Sequence, residues 1–339
     1  MRRTLAVVLG LMLILAACTP TGSPAVGPLF TPDATFPPAP TYTPPPTGTP
    51  GPTRTRRPTA TPTFTPTPTP SPTPRPLAGR LLTEPTQVFP GCTLAIQVTG
   101  TVPVSVSAWL GDQELRFFPT GGVHYALAGI SIWAAPGPRL LTAALRDEMG
   151  RTTMLSTTVE VMPADYPVEN IDLPPDREGL LDPDILAQEW AYVQPFLEEV
   201  TPERLWAGGF ISPTKGWITS PFGTMRSYDG GPPSSYHNGL DIGNYSGTLI
   251  IAPAAGRVVV AEELVVRGNC IIIDHGWGLH TSYFHMSAVL VEPGTMVQQG
   301  DPIGRMGSTG LATGSHLHWE VRVGMVTVDP EEWLERVFP

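Results

Sequence analysis

Three short segments carry the residues best suited to chemistry: His237-Asn238-Gly239-Leu240-Asp241, Tyr283-Phe284-His285-Met286-Ser287 and Gly314-Ser315-His316-Leu317-His318-Trp319. Six of the seven histidines lie between residues 237 and 318. In extended backbone side chains alternate, so His316 and His318 point to one side, and His237 and Asp241, four apart, also share a side. Two imidazoles and one carboxylate form an N₂O donor set suited to Zn²⁺. Three protein ligands leave the fourth tetrahedral position open for water, as in hydrolytic rather than structural sites. A closed structural site would draw on thiolates, and the chain has only Cys18, Cys92 and Cys270. There is no His-Glu-x-x-His helix. A lone His-x-His or His-x₃-Asp carries little weight; the conjunction of both in one glycine-rich region carries more.

The elements that must hold these segments read as strands. Val258-Val259-Val260, Cys270–Ile273 and Trp319–Val323 form strand cores between glycine turns. Ahead of them, residues about 183–205 have helical composition. Leu186, Trp190, Val193 and Leu197 recur at spacings of three and four, after an Asp182-Pro183 start. Residues about 80–163 read as short strands, among them Leu94–Val98, Val104–Trp109 and Thr157–Met162. Turn signals such as Pro90-Gly91, Gly121-Gly122 and Pro136-Gly137-Pro138 separate them. That pattern predicts an Ig-like β-sandwich. Its only histidine, His124, has no partner cluster in sequence and reads as structural.

The N-terminal portion is of another kind. Arg2 and Arg3 precede an apolar run, Leu5–Ala17, that is too short to span a bilayer and has the length of a secretory h-region. Residues 19–76 then hold 20 of the 42 prolines together with 17 threonines. With few large apolar side chains such a stretch cannot offset its ordering entropy, so it is expected to be a disordered tether. In polyproline II its 58 residues reach at most about 180 Å. The net charge is −10. Residues 1–76 contribute six arginines against Asp33, a balance of +5, which leaves −15 for the remainder. An acidic folded part excludes nucleic acid as a partner. Cys92 and Cys270 are either a disulfide or two buried thiols.

The expected layout is therefore a mainly β chain: 1–18 a signal segment, 19–76 the linker, 77–163 the sandwich, 164–206 a helical connector, and 207–339 the histidine-bearing domain. Two resemblances sharpen it. Leu15-Ala16-Ala17-Cys18 resembles the lipobox of bacterial lipoproteins, which implies cleavage before Cys18, lipid on its sulfur, and an extracytoplasmic, membrane-anchored protein. Residues 215–334 resemble the lysostaphin/LytM-type zinc metallopeptidases. The matching run includes Gly216–Gly223, Arg226, His237–Asp241, Ala252–Gly256, Ile273–Gly276, Thr281–His285, Gly294–Gly300, Gly307–Gly310, Thr313–Trp319 and Asp329-Pro330.

This second resemblance implies an antiparallel β domain of hybrid-motif architecture that hydrolyses peptide bonds in bacterial peptidoglycan. It implies one Zn²⁺ held by His237, Asp241 and His318, with His285 and His316 as catalytic histidines that do not bind the metal. It also implies a hydroxyl donor at Tyr228, with Tyr236 as the competing position, while His275 and His280 fall near the site or on the surface. Two other readings were weighed. A silent LytM-type regulator would lack one or more of these residues, and none is missing. A lipoyl- or biotinyl-type carrier would need a modifiable lysine in its motif, and Lys215 lies outside it.

Overall fold

The protein is described here by a computed structural model that covers residues 77–339 except 101–104, 172–177, 229–231 and 234, and the side chains of Glu178 and Tyr228. The signal segment, lipobox and linker lie outside the described residues. Among the described residues, no helix is long and apolar enough to cross a membrane.

Alternation of apolar and polar side chains builds the first two sheets. One has the order Gly79–Glu84, Thr93–Gly100, Val123–Gly129, Phe118–Thr120. The other runs Gln87–Val88, Thr152–Val161, Gly137–Arg146, Ser105–Leu110, Gln113–Leu115. Every pairing is antiparallel except Gln87–Val88 with Thr152–Val161. Leu94, Ile96 and Val98 from one sheet meet Leu141, Leu145 and Val159 from the other in a shared core. Each such buried side chain contributes about 1.5–3 kcal/mol by burial alone.

The histidine segments belong to a ten-stranded antiparallel sheet. Its central path is Trp217–Ser220, Leu240–Gly243, His316–Val323, Leu279–Val289, Gly268–Gly276, Gly256–Leu264, Met296–Val297. The register sets Asp241 opposite His318 and His318 opposite Phe284. A separate three-stranded sheet pairs Val168–Ile171 in parallel with Met225–Tyr228, which in turn pairs with Ser235–Tyr236.

The two sections share packing. Phe118 and Tyr125 of the first stack on Trp277 of the second at 5.4 and 5.9 Å. Gly129 approaches Val326 so closely that a Cβ would sit 2.8 Å from the valine Cβ. The C-terminal helix Pro330–Glu335 adds polar ties: Thr93 donates its N–H to Glu332 at 2.7 Å, and the Trp333 indole donates to the Thr93 hydroxyl.

The connector helix spans Pro183–Glu198, shorter than the composition predicts. The helix ends where Glu199 turns extended, at ψ 132°, and Pro202 keeps it from resuming, since the residue before proline is pushed out of helical geometry. Asp182 caps it by accepting from the Asp184 N–H at 2.8 Å. Val193 and Leu197 are buried as expected, but Leu186 is largely exposed and Glu189 is buried instead. Cys92 and Cys270 are both free thiols, which resolves the open choice between pairing and separate burial.

His275 and His280 are fully buried, so neither is a surface residue. His275 bridges the Ala255 carbonyl and the Thr281 hydroxyl, at 2.8 Å each. Burial pushes its pKa down to about 4. The unfolded chain therefore binds a proton that the folded chain refuses between about pH 6.5 and 4. This contribution is fully present above about pH 6.5 and shrinks as the pH falls towards 4, by up to about 3 kcal/mol. Urea unfolding in the presence of a chelator is expected to show that loss between pH 7.5 and 4.5, and His275→Gln should flatten it.

Candidate metal centre and cleft

Strand pairing brings Asp241 and His318 face to face, and the loop before Leu240–Gly243 brings His237 to both. That loop is fixed by the His237 N–H donating to the Thr224 carbonyl at 2.7 Å and by Gly223 N–H donating to the His237 carbonyl at 2.8 Å. Gly239, inside the motif, has room for no side chain: a Cβ would lie 2.6 Å from the Trp319 carbonyl and 2.8 Å from the His318 ring.

Three donor atoms converge. His237 Nε2 lies 3.0 Å from Asp241 Oδ1, His318 Nδ1 lies 2.8 Å from the same oxygen, and the two nitrogens are 2.9 Å apart. All three side chains are buried. Each far nitrogen faces an acceptor of its own, which leaves the tautomer that metal binding needs. His237 Nδ1 faces the Pro221 carbonyl at 3.0 Å, so it carries the proton. His318 Nε2 faces Glu320 at 3.4 Å and likewise carries its proton there. The converging nitrogens are then bare lone pairs, set against a carboxylate oxygen. Three acceptors within 3.0 Å of one another have no proton to share and fit a cation.

The outer partners continue along one face of His316–Val323, where His316, His318 and Glu320 follow with period two. Burial would raise the pKa of Glu320, yet the Arg322 guanidinium and His318 hold it down to about 2. Arg322 Nε donates to Glu320 at 3.0 Å and Asn238 Nδ2 donates to its other oxygen at 2.5 Å. Such second partners orient a metal-binding imidazole. Glu320 and Asn238 were absent from the sequence-predicted site, although the period-two spacing of Glu320 was a signal for it.

His285 and His316 stand beside this cluster, with ring centroids 5.0 Å apart. His285 sits at φ 63°, a left-handed conformation rare for a side chain of this size. Its N–H donates to the Arg267 carbonyl at 2.9 Å and its Nδ1–H to the Thr309 carbonyl at 2.8 Å. Burial, then the neighbouring His316 and His318, pushes its pKa down to about 3, so the ring is neutral with Nε2 free. His316 is more exposed; its Nδ1–H donates to the Gly314 carbonyl at 2.9 Å and its Nε2 lies 3.8 Å from Asp241. Of Tyr228 only the backbone is described, at the end of the Met225–Tyr228 strand. Its competitor Tyr236 shares its hydroxyl with Thr327 at 2.8 Å and packs edge-on against Trp133 and Phe222.

A cavity of about 270 Å³ opens over these groups. Arg226, Asp241, His285, His316 and His318 line one side, and Glu169 and Asn170 of the Val168–Ile171 strand line the other.

Comparison with known proteins agrees with this geometry. Residues 235–330 match peptidase family M23. The peptidoglycan DD-endopeptidase ShyB of Vibrio cholerae is 35% identical over 112 residues, 33% of this chain and 26% of that protein. The uncharacterized lipoprotein YgeR of Escherichia coli is 36% identical over 133 residues, 39% of this chain and 48% of that protein. The chain thus spans between a quarter and a half of these relatives' length. A crystal structure from Pseudomonas aeruginosa described as a peptidase M23 superposes with a TM-score of 0.53 at 25% identity, over 73% of this chain and 94% of that one. The converging imidazoles and carboxylate lie inside the matched segment, and residues 235–330 are a domain of peptidase family M23.

Proposed function

We propose that the protein is a zinc-dependent endopeptidase that hydrolyses peptide bonds in bacterial peptidoglycan. The observation that carries this is the convergence of two imidazole nitrogens and one carboxylate oxygen, beside two further histidines in an open cleft. His237, Asp241 and His318 would hold the metal, leaving an open position. A zinc ion there supplies Lewis acidity, enough to activate water near neutral pH.

The remaining residues handle protons. His285, buried and held neutral, is a poor proton acceptor. His316, with its free Nε2 towards the cluster, is the better one, and once protonated it can donate to the leaving amine. His285 and the hydroxyl of Tyr228 are assigned to orienting the reacting groups and steadying negative charge. The names of ShyB and of the DD-carboxypeptidase/endopeptidase Mpg of Neisseria meningitidis support the substrate class. The test is release of peptide fragments from purified peptidoglycan by the full chain, abolished by chelation and restored by zinc.

We also assign residues 77–163 to an immunoglobulin-type sandwich. The support is strand order: the first sheet runs in the A-B-E-D sequence, and Thr152–Val161, Gly137–Arg146, Ser105–Leu110 follow as G-F-C. Lipid anchoring through Cys18 rests on the lipobox, and the naming of YgeR as a lipoprotein supports it. Cys18→Ser is expected to release the protein from the membrane or leave the signal uncleaved, with the activity of the folded part unchanged. Mass spectrometry of the mature N-terminus checks this; a mature chain that does not begin at a lipid-modified Cys18 refutes it.

A further inference from the structure

Beside the metal cluster lies a second cavity, of about 240 Å³, whose lining includes Arg226, Arg267, Asn238, His285, His318 and Glu320. Two of its walls are guanidinium groups with an unusual shortage. The Nε–H of Arg226 and the Nε–H of Arg267 are both buried and have no acceptor among the described residues. Buried donors, charged ones above all, are almost always paired, so these two guanidinium groups leave the cavity wall short of acceptors.

Neither arginine is free to turn away. Arg267 is clamped from the connector helix: Glu189 accepts from its Nη1 at 2.5 Å and from the backbone N–H groups of Val266 and Arg267 at 2.6 and 3.2 Å. Its guanidinium also lies 5.1 Å from the Phe284 ring. Arg226 Nη2 lies 3.6 Å from Asp241 Oδ2. The acidic group on the same cavity, Glu320, is already engaged by Arg322 and Asn238. Leu186, Val266, Phe284 and Leu311 provide apolar wall around the two donors.

We infer that Arg226 and Arg267 form a subsite for a carboxylate of the substrate peptide, beside the bond to be cut, and that Glu189 of the connector helix is its positioning residue. The inference rests on the peptidase reading and gives it a specificity: stem peptides carrying a free carboxylate are bound in preference to neutral ones. Guanidinium and carboxylate match in charge and in planar donor–acceptor geometry.

The experiment compares binding of N-acetyl-D-alanyl-D-alanine with binding of its C-terminal amide to the full chain, by calorimetry, with and without zinc. The acid is expected to bind about 10–100-fold more tightly, the range of a charge-assisted pair. Arg267→Gln and Arg226→Gln should each collapse that ratio, and Glu189→Gln should weaken it. Equal affinity for acid and amide in the wild-type protein would overturn the subsite, as would a ratio left intact in both arginine variants. The wild-type comparison does not depend on any variant folding. Discrimination without cleavage of peptidoglycan would count against the peptidase reading and leave the subsite standing; cleavage without discrimination would do the reverse.

Discussion

His316→Ala is expected to retain close to one zinc per chain and to lose about 10²–10⁴ in the rate of peptide-bond cleavage. The metal should stay because His316 contributes none of the three converging atoms; its Nε2 stands 3.8 Å from Asp241. The rate should fall because the variant removes the half-buried imidazole able to take and return a proton beside the cluster. His285 cannot stand in for it, being held neutral by burial down to about pH 3. A matching loss is expected for His285→Asn. Asparagine tolerates the left-handed backbone at φ 63°, so this variant tests the imidazole without adding backbone strain. Metal analysis and initial rates on the same samples check both variants. Near-normal turnover in the pair would remove these histidines from the mechanism.

The second large effect concerns the cluster itself. His318→Ala and His237→Ala should each abolish stoichiometric zinc and, with it, all measurable cleavage. Binding to the folded state alone stabilises by mass action, about 4 kcal/mol when free metal is a thousandfold above Kd. Wild-type protein should therefore melt at a higher temperature when zinc is added, and neither variant should respond. Without metal, His318→Ala also leaves Glu320 without one of its partners. A zinc-dependent rise in melting temperature that survives in His318→Ala would show that the ligand set is wrong.

How far the sequence carried depends on the range of each interaction. Strand cores were legible in two ways: Cys270–Ile273 is a continuous apolar run, buried on both faces, and Trp319–Val323 alternates apolar with charged residues at period two. The convergence of His237, Asp241 and His318 was legible through short spacings, His-x₃-Asp and His-x-His, joined by the family resemblance. What escaped was long-range. Leu186 fits the apolar spacing of the helix, yet Glu189 takes the buried position because Val266 and Arg267, about 77 residues away, offer it three N–H donors. No local pattern announces that partner. The packing of Phe118 and Tyr125 on Trp277 escaped for the same reason, so two sections that read as separate share an interface. The helix was overextended because composition alone does not show that Glu199 turns extended, after which Pro202 prevents the helix from resuming.

The central claim is a metal-dependent cut in a peptide bond of the wall, and product chemistry tests it most directly. Purified peptidoglycan is incubated with zinc-loaded full chain, with the chelated protein, and with His318→Ala, and the soluble products are sized by mass spectrometry. Fragments that gain one water per cut and expose a new amine and a new carboxylate at a peptide bond are expected in the zinc-loaded sample alone. Products cut in the glycan strand, identical products from all three samples, or intact peptidoglycan with zinc-loaded protein would contradict it.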